Sequence, residues 1–191
     1  MEISIVLLII GFLLGGILNA QTILRNAKTK DTIKAVNDIF NGSHQFHKRY
    51  GAWPGTLQNA VANIPSLPAA CVGNTTGVIA TAAESACATE ELIRSSMLKG
   101  TAGDHPIRLS GAITISLTGA PLAGVAGLPA NWRNVVLIQN IDCDIAVQID
   151  RQTDDGSTNT GNFRTALGVC GVAGIDQNEN IPVASAAIRL D

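Results

Sequence analysis

The hydrophobic pattern of this chain changes character at Arg25. From Ile3 to Leu24 no residue is charged and most are apolar. As a helix this run is roughly 33 Å long at ~1.5 Å per residue, enough to cross the hydrocarbon core of a bilayer. The stripe then narrows to one face. Apolar residues recur three or four apart through Ile23, Ala27, Ile33, Val36, Phe40 and Phe46, with Ile39 beside Phe40, while Lys28, Lys30, Asp31, Lys34 and Asp38 supply a solvated face. Gly51 and Pro54 end the pattern. It predicts one helix from Glu2 to about Tyr50, apolar all round over residues 1–24 and amphipathic over 25–50. Residues 51–191 must then fold into a domain that covers the stripe.

Within that domain, Tyr50-Gly-Ala-Trp-Pro-Gly55 reads as the place where the chain folds back, with Trp53 as a packing anchor. Thr56 to Asn63 predicts a short helix stopped by Pro65 and Pro68, and Ala69 to Ala82 a loop. Glu84 to Leu98 predicts a helix with Leu92, Ile93 and Met97 on one face and Gly100 as its C′ residue. Gly103-Asp-His-Pro106 is a turn. Ile113, Ile115 and Leu117 alternate with Thr114, Ser116 and Thr118, which is a strand pattern. Asn134 to Ile141 carries the buried run Val135-Val-Leu-Ile138, joined to the previous strand through the Gly- and Ala-rich segment Pro121 to Pro129. Asp142 suits an N-cap, with Ile145, Ala146 and Ile149 on one helical face. The same stretch also reads as a strand through Cys143, Ile145, Val147 and Ile149, and periodicity alone leaves both open. Ile181 to Leu190 is a final strand, with Pro182 at a start or edge.

Composition narrows the function classes. Beyond the first helix, the 191-residue chain leaves enough length for one modest domain. A net charge of -2 and a pI near 5.9 give no bulk attraction to nucleic acid or anionic lipid. With aromatics at 4%, an aromatic-lined ligand pocket is not expected, and neither is a cofactor. No Gly-x-Ser-x-Gly, P-loop or Gly-x-Gly-x-x-Gly occurs, so an enzyme is not expected.

Three readings compete for the apolar start. A secretory signal peptide would open with Lys or Arg and end at a small-residue cleavage site; here the opening charge is Glu2, and no clear Ala-x-Ala site follows Leu18. A plain membrane anchor explains the length but not the glutamate. The segment Glu2-Ile-Ser-Ile-Val-Leu-Leu-Ile-Ile-Gly11 resembles the N-terminal signature of type IV pilins and pseudopilins, with Glu2 in the place of their glutamate. The family has that glutamate fifth in the mature chain rather than second, so the numbering here is expected to be offset from the family's mature N-terminus. Two further stretches are similar to family members. One is Tyr50-x-x-x-Pro54-Gly55, a turn after the spine helix. The other is Ala146-Val-Gln-Ile-Asp150-Arg-Gln-Thr-Asp154-Asp155-Gly156, which favours the helical reading of that segment.

The resemblance implies an α+β ladle: a long spine helix packed on an antiparallel sheet of about four strands. It implies a major pilin that self-assembles into an extracellular type IV pilus, starting from the inner membrane and served by an assembly platform, a leader peptidase and an assembly ATPase. The alternatives are a pseudopilin of a type II secretion system and a membrane-tethered adhesive or binding module. The implied assembly residues are Glu2, Ile5, Leu8, Gly11, Phe12, Gly15 and Gly16. A buried carboxylate needs a partner, which the family implies is a neighbouring subunit's N-terminal amine. The glycines weaken the helix by roughly 1 kcal/mol each relative to Ala, and permit close helix approach. The family also keeps its N-terminus cytoplasmic, against the orientation that the basic residues Arg25 to Lys34 would favour by themselves.

Export makes disulfides expected from Cys71, Cys87, Cys143 and Cys170. Four cysteines allow three pairings. Local loop closure favours Cys71–Cys87 and Cys143–Cys170, at roughly 3 kcal/mol each. Asp150, Asp154 and Asp155 invite a calcium reading but lack EF-hand spacing and the distal Glu, so a helix end followed by an Asp-Asp-Gly turn is expected instead. His44 and His47 share a helical face without an evident third ligand, and a surface pair is expected. Asn41-Gly-Ser43 and Asn74-Thr-Thr76 match the glycan acceptor pattern weakly.

Overall fold

The structure is a computed structural model. It describes residues 2–109, 112–166, 170 and 181–191, without the side chains at positions 2–5, 14, 18 and 19. Helix α1 runs unbroken over Glu2–Tyr50. Its two halves differ in what covers them. Described side chains before Arg25 face outward, whereas Thr29, Thr32, Ile33, Val36, Ile39, Ser43 and Phe46 are buried. The stripe therefore starts later than the apolar pattern suggests: Ile23 and Ala27 are exposed, and Thr29 and Thr32 take the inward positions. Both threonines satisfy their hydroxyls within the helix, by donating to the carbonyls of Arg25 and Lys28.

The head domain follows. Helix α2 is the short Ala60–Asn63, and α3 spans Ala82–Arg94. Strands β1 (Ile107–Arg108) and β2 (Thr114–Gly119) precede a 3₁₀ turn at Ala120–Leu122. Strand β3 (Asn134–Asp142) leads directly into α4 (Cys143–Thr153), so the helical reading of that stretch is the observed one. Strands β4 (Phe163–Thr165) and β5 (Pro182–Arg189) complete the sheet. Its order is β1-β2-β3-β5-β4 with every neighbour antiparallel, giving five strands rather than about four. The two strands that the pattern did not locate are the edges β1 and β4, too short to leave an alternation in sequence.

One sheet face takes Ile115, Leu117, Val136, Ile138, Ala186 and Ile188 into a core shared with Phe46, Ile39, Leu92 and Ile149 from the helices. On the other face Val135, Leu137 and Ala187 pack against Val125 and Trp132. The run Val135 to Ile138 is apolar without alternation because both faces of β3 are covered.

Helix α3 starts and stops where local chemistry dictates. Thr81 and Glu84 form a reciprocal capping box, which sets the start two residues ahead of Glu84. At the other end Ser96 takes φ +61°, and the amides of Ser96 and Met97 donate to the carbonyls of Ile93 and Leu92. This is a Schellman ending, with a serine rather than Gly100 in the left-handed position. Gly55, at φ +82°, lies so close to α3 that a Cβ there would sit 2.5 Å from the Glu84 carbonyl oxygen. The turn after α1 thereby seats directly on α3. Disulfides join Cys71 to Cys87 and Cys143 to Cys170.

Candidate functional site

The apolar half of α1 is an exposed apolar surface. Leu8, Gly11, Phe12, Gly15 and Gly16 are all exposed, and nothing lies within 4 Å of a Cβ built on any of the three glycines. Phe12 is 82% exposed. Val6, Leu7, Ile9, Ile10, Leu13, Ile17, Ile23 and Leu24 are exposed beside them. The helix is long and apolar enough to cross a membrane. Glu2 and Ile5 lie outside the described side chains.

Where this half ends, the head grips the helix. The Arg25 guanidinium donates through Nε to Asp144 Oδ2 at 2.7 Å and through Nη2 to Asp144 Oδ1 at 2.5 Å, a two-pronged pairing. Nη2 also reaches Asp142 Oδ2 at 3.2 Å. Asp142 does stand at the N-cap position of α4, yet its side chain makes no cap hydrogen bond and serves Arg25 instead. Sequence reasoning missed this clamp. Its partners are 117 and 119 residues apart, and no local pattern links them.

The aromatic residues at the fold-back turn form a stack. Trp53 lies parallel to His47 with centroids 4.4 Å apart, and meets His44 edge-on at 5.3 Å. His44 also touches Phe40 at 4.5 Å. Burial holds the His44 imidazole below its ordinary pKa, helped by the charge of Lys48 and by His47. The two histidines thus act as packing surface for Trp53. Asn74 is likewise engaged within the fold: its amide nitrogen donates to Val78 O and to Glu84 Oε1, both at 2.8 Å.

Behind that turn, Glu91 is fully buried on α3. Its Oε2 accepts from the Gly55 amide at 2.7 Å, and its Oε1 has no hydrogen-bond partner among the described residues. Burial pushes the carboxyl up to about 7, although the Gly55 amide pulls the other way. The folded chain therefore holds this proton more tightly than the unfolded chain. Its contribution to stability is complete below pH ~4.5 and is lost as pH rises through about 7. Glu91→Gln keeps an acceptor for Gly55 and removes the titration. Unfolding of the chain in mild detergent and metal-free buffer at pH 5 and pH 8 is expected to show a difference smaller by roughly 2 kcal/mol in the variant. An unchanged difference would contradict the assignment.

The end of α4 gathers the three aspartates. Oxygens of Asp150, Asp154 and Asp155 lie within 4.8 Å of one another. The chain turns at Gly156, with φ +83°. Asp155 accepts from the Thr160 hydroxyl at 2.6 Å and from the Ser157 amide at 2.8 Å, and these bonds hold its carboxyl below the ordinary range. Asp154 Oδ2 accepts the amides of Asn162 and Phe163. Gly161 passes so close that a Cβ would collide with the Asp154 carboxylate. The Asp-Asp-Gly turn expected from sequence is present, and it also folds back onto the helix so that Asp150 joins the group.

No protein-family model matches this chain, no curated protein matches it, and no solved structure matches it. Its function is therefore read from its own residues.

Proposed function

We propose that this chain is a filament subunit of the type IV pilin kind, a major pilin that assembles through the apolar half of α1. The observation that carries this reading is the contrast within one helix. Residues after Arg25 are clamped and covered by the head, while those before it present apolar side chains on all sides. A parallel bundle of such half-helices gives every side chain a partner and leaves the heads as an outer wall. Gly11, Gly15 and Gly16 let neighbouring helices approach closely. In the bundle, Glu2 fixes the stagger by pairing with a neighbour's N-terminal amine, since an unpaired carboxylate in that setting is costly. Arg25 fits the family's orientation better than charge counting suggests, because Asp142 and Asp144 already balance it. On this reading the chain waits in the inner membrane, is processed by a leader peptidase, and is moved into an extracellular pilus by an assembly platform and its ATPase.

The test is Glu2→Ala in the producing cell. The variant is expected to remain in the membrane while filament yield falls roughly tenfold or more, the factor that ~1.4 kcal/mol of lost pairing implies. Normal yield would remove the register role. A wild-type chain that stays membrane-bound without forming surface filaments would favour the pseudopilin or tethered-module alternative.

A further inference from the structure

The geometry points to a calcium site at the C-terminal end of α4, with Asp150, Asp154 and Asp155 as its carboxylate ligands. This site lies in the head and does not depend on the filament reading. The three carboxylates already converge, but convergence alone would be an ordinary acidic turn. The independent observation is Asp150. It is fully buried, and neither of its carboxylate oxygens accepts a hydrogen bond of normal geometry from any described residue. Buried carboxylates normally find donors, because an unsatisfied one loses its hydration without compensation. Here the cluster around it is itself acidic, and a bound cation would supply the missing partner.

The charge balance agrees. Asp154 and Asp155 set like charge beside Asp150, and Arg164 opposes it. The Arg164 Nε is nonetheless buried without a partner among the described residues. Arg151 also lies against the turn at Gly156, so three carboxylates face two guanidiniums, which still leaves a local surplus of negative charge. The fold-back loop and β4 hold further buried oxygens. Thr158 Oγ1, Asn159 Oδ1 and Thr165 Oγ1 are also buried and unpartnered. An all-oxygen set containing several carboxylates suits calcium, which takes six to eight such ligands in flexible geometry, better than a softer metal. The spacing does not follow an EF-hand because the ligands come from a helix end and the loop that folds back on it.

The test uses the full chain in mild detergent, stripped with EGTA and titrated with calcium chloride. Calorimetry is expected to show one site with a Kd on the order of 10⁻⁴ to 10⁻³ M, the range of extracellular calcium modules. The melting temperature is expected to rise by several degrees at millimolar calcium and much less with magnesium. Asp150→Asn removes the buried charge without changing side-chain size, so it is expected to fold and to lose the calcium response. Asp155→Asn, at the exposed end of the site, is expected to weaken binding about tenfold or more. The site is overturned if wild-type chain shows neither heat nor a melting shift with millimolar calcium. It is equally overturned if folded Asp150→Asn responds as wild type does, or if magnesium acts as strongly as calcium.

Discussion

A chain shortened to residues 25–191 is expected to remain folded and to become a soluble monomer. The buried positions of α1 begin at Thr29, and the clamp to Asp142 and Asp144 starts at Arg25, so this cut removes no described core residue. What it removes is the exposed apolar half. Ten large apolar side chains from Val6 to Leu24 are exposed in the isolated chain. At about 1 kcal/mol or more for covering the exposed part of each, their burial is of the same order as the ~5–15 kcal/mol that holds a domain folded. The full chain must therefore cover them with lipid, detergent or copies of itself. Light scattering after gel filtration is expected to give a monomer for the shortened chain. The full chain is expected in the membrane fraction or in large assemblies. A full chain that is monomeric in water without detergent would contradict the argument, and so would a shortened chain that fails to fold.

Replacing Cys71 and Cys87 together by serine is expected to cost about 3 kcal/mol. The bond closes a loop between residues 16 apart and ties the segment after α2 to α3. That segment also leans on the fold-back turn through the Gly73 amide, which donates to Leu57 O at 3.2 Å. Loosening it undermines the seat of Gly55 on α3. For a chain of this length the melting temperature is expected to fall by roughly 6–12 °C. Intact-mass measurement of the native protein should find two disulfides and no thiol open to alkylation. Four alkylatable thiols in the native protein would refute the covalent framework, and an unchanged melting point in the double variant would refute its energetic role.

Much of the architecture was legible because it rests on long, regular patterns. The apolar run before Arg25, the helical stripe after it, the alternation at Ile113 to Thr118 and the buried run at Val135 to Ile138 each extend over enough residues to reveal their period. The parts that were not legible depend on contacts the pattern does not encode. Thr29 and Thr32 face the core as polar residues because each hydroxyl is satisfied by its own helix. Strands β1 and β4 exist because neighbours offer them an edge, not because two or three residues specify a strand. The Thr81-x-x-Glu84 capping box was a readable signal for the start of α3. Asp150 follows Ala146 by one helical turn and so shares the inward face of α4, but a carboxylate near a helix end normally reads as solvated. Its burial depends on the loop through Gly156 and Gly161 folding back over it, which spacing alone does not disclose.

Imaging by electron cryomicroscopy of material sheared from cells that make this chain tests the filament assignment most directly. The account predicts long helical filaments whose density fits this fold, with residues 6–24 of each copy in the core, the heads outside and the Glu2 carboxylate beside a neighbouring N-terminus. A sheared fraction without this chain, with the protein retained in the membrane fraction, would contradict it.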